Sequence, residues 1–476
     1  MKTIGIVCEL NPLHSGHKYL LDMARQKFSA DYVVLVMSGD YTQRGVPSIV
    51  SKEVRTKMAL MAGADAVFEL PVQYATASAE YFASGAISLL NSLGCVDHIL
   101  FGTENGDIEE IQKIASILND EPDEYKKVLQ EGLKRGLNFA SARDAALKKL
   151  ITIGNSTTLI GSNNILGIEY CRALMESKSS ITPLTIKREG SDYNSDELTG
   201  TYASASAIRR LLENNTTSAL GGSNNINSES KTFSNPDQNI YPNSHQDTNT
   251  NQSPDQDQSQ NTNTDQSRYN DSNQNADTLQ DTTTYPDPGD NPISILKDYI
   301  PEDVLTLLLS QKAYNRLDNY SDYLHYKLLS ERSEGFTSYA DIHRDLSDKI
   351  IKFLPKYTTI SEFTDLLKSK DLTYTRIQRS LLHILLGIKQ ETLDSLKQDN
   401  YPVYLRLLGF RKESSPLLAV IRESSSTPVI SRMSDAFKIE NEQQKRLLDQ
   451  DVLASDIYHL IIPDSKNEYQ KPVTIL

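Results

Sequence analysis

Four short apolar runs, residues 3–8, 32–37, 66–70 and 98–101, alternate with segments of helical apolar spacing, and a fifth candidate run occupies residues 182–187. This alternation constrains the fold more than any other feature. Strands that each hand over to a helix form a parallel sheet covered on both faces, with ligands at the carboxyl ends of the strands. His14, Ser38, Gly39, Glu69, Pro71, Gly102 and Glu104 all lie at or just beyond the ends of these runs, so one crevice can collect them.

The first run passes through the turn Asn11-Pro12 into His14-Ser15-Gly16-His17, after which Leu20, Leu21 and Ala24 carry helical spacing. Both histidines therefore fall in the first turn of a helix, where unpaired backbone N–H groups and the helix dipole favour anions. Gly16 has no Cβ and lets a phosphate approach the backbone. Two other readings stand beside this one. A pair of histidines three apart could bind zinc, but no further cluster has metal spacing and Cys8 lies inside the strand. An isolated H-x-G-H could also be a polar helix start.

The segment Gly5-Ile6-Val7-Cys8-Glu9-Leu10-Asn11-Pro12-Leu13-His14-Ser15-Gly16-His17 resembles the start of the nucleotidyltransferase superfamily that carries the H-x-G-H signature. Met37-Ser38-Gly39-Asp40-Tyr41-Thr42-Gln43-Arg44-Gly45 and Ala64-Asp65-Ala66-Val67-Phe68-Glu69-Leu70-Pro71 resemble, more narrowly, the bacterial tRNA(Met) cytidine acetate ligase family. Phe101-Gly102-Thr103-Glu104, Ser162-Asn163-Asn164-Ile165-Leu166-Gly167-Ile168-Glu169-Tyr170, Lys187-Arg188 and Tyr202-Ala203-Ser204-Ala205-Ser206-Ala207-Ile208-Arg209 follow in that family's order. The resemblance implies an α/β fold: a Rossmann-like, parallel-sheet nucleotidyltransferase domain over residues 1–213, binding ATP.

The remaining chain divides in two. Residues 214–291 are rich in Asn, Gln, Asp, Ser, Thr and Pro, a composition that cannot bury enough apolar surface to offset its ordering entropy. A disordered, dispensable tether is expected there, where the family has a short linker. Residues 292–476 show helical spacing almost throughout, as at Leu305, Leu308 and Leu309 and at Ile377, Leu381, Leu382 and Ile384, which predicts an all-α C-terminal domain; the resemblance implies that it binds tRNA. Tyr374 to Leu386 and Leu408-Gly409-Phe410-Arg411-Lys412 also resemble family blocks; Asp348-Lys349 departs from the family pattern, and no RNA contact carries over to it.

Composition adds limits. The net charge of −14 argues against RNA binding until it is divided along the chain: residues 215–290 hold eleven acids against two bases, Lys231 and Arg268, so nine of those negative charges fall in the tether. Cys8, Cys95 and Cys171 are sparse and odd in number, which indicates reduced, packed thiols. No apolar run approaches bilayer length and the chain opens on a strand, so a cytoplasmic protein without a membrane association is expected.

The resemblance implies a two-step ligase. Acetate and ATP give acetyl-adenylate and pyrophosphate, and N4 of the wobble cytidine of elongator tRNA(Met) takes the acetyl group. Val7, Cys8, Glu9, Leu10, Asn11, Pro12, Leu13, His14, Ser15, Gly16, His17, Lys18, Tyr19 and Leu20 would form a continuous ATP-binding stretch, with His14 and His17 as the catalytic phosphate donors. Gly102, Asn163, Asn164 and Arg188 carry over as further ATP contacts. Ser204, Ser206 and Arg209 resemble the superfamily's second phosphate-binding signature, although the serines also read as ordinary N-caps. Mg2+ would accompany the nucleotide, with no protein metal site.

Ser38, Gly39, Gln43, Arg44 and Lys52, near the end of the second run, are assigned to the tRNA or the acyl-adenylate. Arg376, Arg379, Arg411 and Lys412 are candidates for RNA backbone contacts, or else form an exposed basic helix face. Two other functions use the same motif: a small-molecule adenylyltransferase of cofactor synthesis, which would not need the helical C-terminal domain, and a non-catalytic RNA-binding protein that keeps a nucleotide pocket.

Overall fold

Along β1 (Thr3–Cys8) and β2 (Tyr32–Ser38) the apolar side chains divide between two cores. Val34 and Val36 enter one, while Ile4, Ile6, Val33, Leu35 and Met37 enter the other, because successive residues of a strand point to opposite faces. A sheet buried on both faces follows, and such strands are close to continuously apolar. The structure is a computed structural model that describes residues 1–137, 139–150, 162–188, 204–219, 294–369 and 372–476.

Helices α1 (Ser15–Gln26), α2 (Lys52–Met61), α3 (Val72–Ala75), α4 (Ala79–Leu93), α5 (Ile108–Asp120), α6 (Asp123–Lys134), α7 (Phe139–Leu150), α8 (Ser162–Glu176) and α9 (Ala205–Ala219) accompany β1, β2, β3 (Ala66–Leu70), β4 (His98–Thr103) and β5 (Thr182–Lys187). These five strands are parallel and lie in the order β5-β4-β1-β2-β3. The chain thus winds one way from β1 through β2 to β3 and the other way through β4 to β5. The connections diverge between β1 and β4, and that reversal leaves a crevice at their carboxyl ends. All five expected strands are present. β4 runs on through Gly102 to Thr103, pairing with β5, so Gly102 is a strand residue and not a turn.

The C-terminal region carries α10 (Glu302–Leu309), α11 (Ser321–Glu331), α12 (Arg344–Phe353), α13 (Ile360–Leu367), α14 (Tyr374–Leu386), α15 (Gln390–Gln398), α16 (Ser415–Ser424) and α17 (Glu442–His459). It is helical as expected, but the all-α reading is corrected by three short strands, β6 (Leu405–Phe410), β7 (Val429–Ile430) and β8 (Thr474–Ile475). β6 adds antiparallel to β3 and pairs in turn with β7 and β8. Its apolar residues serve both cores, Leu405 and Leu407 one and Leu408 the other, which a run of six residues between helices does not announce.

Residues 1–218 and 291–476 form one compact unit, divided from residues 219–290. The stretch expected to be a tether begins later than residue 214, because α9 continues to Ala219; residues 220–293 lie outside the described residues. Among the described residues no helix is long and apolar enough to cross a membrane.

Candidate active site

The turn between β1 and α1 brings Asn11 into contact with two distant segments. Its side-chain Oδ1 accepts from the Ile49 amide at 2.8 Å, and its carbonyl accepts from the Arg209 guanidinium at 2.6 Å. The Asn11-Pro12 peptide is cis. Beyond it His14 caps α1: its Nδ1 accepts from the Gly16 amide at 3.1 Å, and the Nδ1 of His17 accepts from the His14 amide at 3.3 Å. The rings lie 4.0 Å apart, tilted by 47°. A neutral imidazole that accepts at Nδ1 carries its proton on Nε2. Both rings therefore present Nε2–H donors where α1 begins.

Their surroundings keep them neutral. Burial, followed by the charges of His17, Arg188 and Arg209, drives His14 well below the usual imidazole range, and burial with Arg188 lowers His17 to about 4. Burial also pushes the Cys8 thiol up to about 12, which leaves it un-ionised and unreactive near neutral pH.

Val7, Cys8, Glu9, Leu10, Asn11, His14, Gly16, His17, Tyr19 and Leu20 line a cleft that continues over Gly102 and Arg188 to Ser204, Ser206 and Arg209. A Cβ on Gly102 would stand 3.0 Å from Cγ of Arg188, so glycine lets that side chain lie across the strand. Ser204 accepts from the Ala207 amide at 3.1 Å as the cap of α9, and Ser206 Oγ accepts from Arg209 at 3.1 Å. The cleft thus gathers two helix starts, two neutral imidazoles and the guanidinium groups of Arg188 and Arg209 at the sheet's point of reversal. This donor set fits a nucleotide triphosphate. Among the described residues no group of three or more His, Cys, Asp or Glu could hold a metal ion.

Gln43 and Arg44 also line the cleft, on a tight loop in which Thr42 N–H donates to Val46 O at 3.0 Å and Gly45 N–H to Thr42 O at 2.9 Å. Gly45 has φ +76, and a Cβ there would lie 2.4 Å from the backbone nitrogen of Arg379 on α14. The loop tip therefore packs directly on a C-terminal helix.

The remaining sequence-predicted residues lie outside the cleft wall. Pro12 and Leu13 are buried beneath it, Ser15 donates its amide to Tyr299 O at 2.7 Å, and Lys18 pairs with Asp22. Asn164 Oδ1 accepts from the Glu104 amide at 3.0 Å, and the side chain of Asn163 lies outside the described residues. Ser38 and Gly39 are buried, and their carbonyls accept from Arg55.

Lys52 does not reach the cleft. It is 1% exposed and paired with Glu69 at 2.8 Å and Glu468 at 3.0 Å, with Asp40 at 3.9 Å. Arg379 is paired with Asp341 at 3.1 Å, and Arg376 is half-buried in the first turn of α14. Arg411 and Lys412 follow β6, whose end pairs with the start of β3. They stand at the opposite end of the sheet from the cleft, because β6 runs antiparallel.

Thr42, Val46, Phe82, Phe101, Leu166, Tyr170, Ile186 and Ala205 complete the cleft; some stand in the family-like segments, but none was assigned to the site from the sequence. Most are apolar and indistinguishable from core by type; the i, i+4 spacing of Leu166 and Tyr170 on one helix face was the available signal. Arg55 was missed as well. Fully buried, it donates to the carbonyls of Glu9 at 2.8 Å, Ser38 at 2.9 Å and Val50 at 3.2 Å, tying the ends of β1 and β2 together.

Known proteins resemble this chain in sequence and in fold. The family described as HIGH Nucleotidyl Transferase matches residues 1–287 and 265–472. The tRNA(Met) cytidine acetate ligase of Acetivibrio thermocellus is 36% identical over 460 residues, 96% of this chain and 94% of that protein. That of Caldanaerobacter subterraneus subsp. tengcongensis is 34% identical over 484 residues, 99% of each. The crystal structure of Thermotoga maritima TmcAL in apo form I aligns over 100% of both chains with a TM-score of 0.79 and 26% identity. Form II of the same protein, bound with alpha-thio ATP, aligns with a TM-score of 0.77. Through this similarity over nearly its whole length, the chain belongs to the tRNA(Met) cytidine acetate ligase family of the HIGH nucleotidyl transferases.

Proposed function

We propose that this protein is a cytoplasmic ligase that joins acetate to ATP, releasing pyrophosphate, and then transfers the acetyl group from acetyl-adenylate to N4 of the wobble cytidine of elongator tRNA(Met). The products are N4-acetylcytidine and AMP. The observation that carries this reading is the pair of neutral imidazoles at the start of α1, each with Nδ1 occupied and Nε2–H available. Acetate attacks the α-phosphorus directly, so no covalent nucleophile is needed. The protein's task is to hold the triphosphate and stabilise the charge that grows on its oxygens. His14 and His17 donate to the phosphates from one side, and Arg188, Ser206 and Arg209 from the other. The starts of α1 and α9 add backbone N–H donors. Mg2+ enters with the nucleotide.

For tRNA, α14 is the surface best placed to act with the cleft, because Gly45 on the Gln43–Arg44 loop rests on its backbone. Arg376, at the start of that helix, is the favoured phosphate contact. Arg411 and Lys412, at the far end of the sheet, are not assigned to the same contact.

His14→Ala and His17→Ala test the reading. Each should lower acetate-dependent exchange of labelled pyrophosphate into ATP by about 10²–10³, the cost of one lost charge-stabilising donor, with the urea midpoint little changed. Wild-type exchange without acetate, or full activity in the double variant, would overturn it.

A further inference from the structure

We propose that Glu9 receives the proton that the cytidine amine loses during acetyl transfer, making it the base of the second half-reaction; this rests on the function proposed above. Among the described residues that line the cleft, Glu9 is the one carboxylate. A carboxylate repels phosphate, whose oxygens are matched here by imidazole and guanidinium groups, so its place in this wall calls for a ligand that brings N–H or O–H donors. An exocyclic cytosine amine is such a ligand, and Glu or Asp is the side chain suited to accept from it.

The carboxylate is held in position. Its Oε1 accepts from the Gln43 amide at 2.7 Å, and the Glu9 carbonyl accepts from Arg55 at 2.8 Å. A carboxylate offers about four acceptor positions and the amide occupies one, which leaves capacity for an amine. The same cleft carries Phe82, Leu166 and the Phe101–Tyr170 pair, with ring centroids 5.5 Å apart. The aromatic rings among them are of the kind that takes an unstacked base from single-stranded RNA, such as an anticodon nucleotide.

The step balances without further reactants. The N4 lone pair attacks the acetyl carbonyl carbon; the bond from that carbon to the phosphate oxygen breaks, and AMP leaves with the electron pair. One N4 proton passes to Glu9 and then to water. Burial raises the Glu9 carboxyl above the usual range, against the Gln43 amide and the charges of Arg44, Arg209 and Arg55, which makes it a stronger base than an exposed glutamate. The other donors that a carboxylate here could meet are the N6 amine of adenine and a ribose hydroxyl of ATP, and either role would act in the first half-reaction.

The test uses the full chain with Glu9→Gln and Glu9→Asp. Acetate-dependent pyrophosphate exchange reports the first step, and single-turnover transfer from enzyme-bound acetyl-adenylate to a tRNA(Met) transcript, followed across pH, reports the second. In E9Q, transfer should fall by about 10²–10⁴ beyond whatever exchange loses, and it should lose its dependence on a deprotonated group. E9D should retain part of the transfer rate with a displaced pH midpoint, and it decides the matter if E9Q does not fold. A parallel fall in exchange with a raised KM for ATP would make Glu9 an ATP ligand and overturn the proposal, as would transfer unchanged at every pH. Wild-type protein that forms no acetyl-adenylate would instead overturn the ligase reading, and this assignment with it.

Discussion

The cleft at the ends of β1 and β4 and the ionic cage at the ends of β2 and β3 are built from similar residues at equivalent places in one sheet, yet one is open and the other sealed. In the cleft, His14, His17, Arg188 and Arg209 face a space that a ligand can enter. In the cage, Lys52 is enclosed by Glu69, Glu468 and Asp40, and Glu468 is also met by Arg406 at 3.3 Å and Lys471 at 3.6 Å. Topology makes the difference. Next to β3 the C-terminal strand β6 brings in Arg406, and the tail brings in Glu468 and Lys471, so every charge finds a partner from another part of the chain. Between β1 and β4 the connections diverge, and nothing in the described structure fills the gap. A polar residue at a strand end is thus a site residue only where the winding leaves room for a ligand.

The largest effect should come from the cage. Lys52→Ala leaves Glu69 and Asp40 without their buried cation, and breaking a buried ion pair in this way costs about 3–5 kcal/mol. Urea denaturation should show the loss. A stable variant with a raised KM for substrate would return Lys52 to the cleft and end the contrast drawn here.

Acid should separate the two regions. His17, lowered to about 4 from its ordinary 6.5, stays neutral in the folded protein while the unfolded chain takes up a proton. Its contribution to stability is therefore complete above pH 6.5 and is lost as pH falls toward 4. His14 shifts in the same direction, chiefly through burial. Glu468, despite the cost of burial, is held at about 2 by Lys52, Arg406 and Lys471. Its contribution is present above 4.5 and is lost only as pH falls through about 2. NMR titration of the imidazole C–H signals in ligand-free protein checks this order; a His17 midpoint near 6.5 would mean that the cleft is wetter than its geometry indicates.

The smallest effect concerns α14. Arg376→Glu should weaken tRNA binding and reduce its salt slope by about one unit, with ATP affinity unchanged. Arg379→Glu breaks the pair with Asp341 and should act on stability first. Filter binding across salt concentrations measures both. An ATP affinity that falls while tRNA affinity holds would place Arg376 in the nucleotide site.

Much of the cleft was legible because its parts are local. A strand, a turn, two histidines at the start of a helix and serines at the start of another each depend on a few consecutive residues, so their backbone geometry can be read in order along the chain. Gln43 and Arg44, expected to border the crevice, line the cleft. Lys52, also expected there, does not reach it, since its surroundings come from Glu69 and Glu468, and the position of Arg411 and Lys412 at the far end of the sheet depends on the pairing of β6 with β3, at separations that local pattern does not carry.

The sequence by itself determined the alternation of strands and helices, the place of His14 and His17 at a helix start, and the helical character of most of the C-terminal region, because periodicity and capping are short-range properties of the chain. The tertiary structure alone decided that β6 closes the edge of the sheet beside β3, that Lys52 is a sealed ion and Glu9 a cleft carboxylate, and that Gly45 rests on α14. Burial and charge pairing are set by residues tens to hundreds of positions away, and whether a side chain meets solvent, ligand or counter-ion is settled only when those positions are brought together.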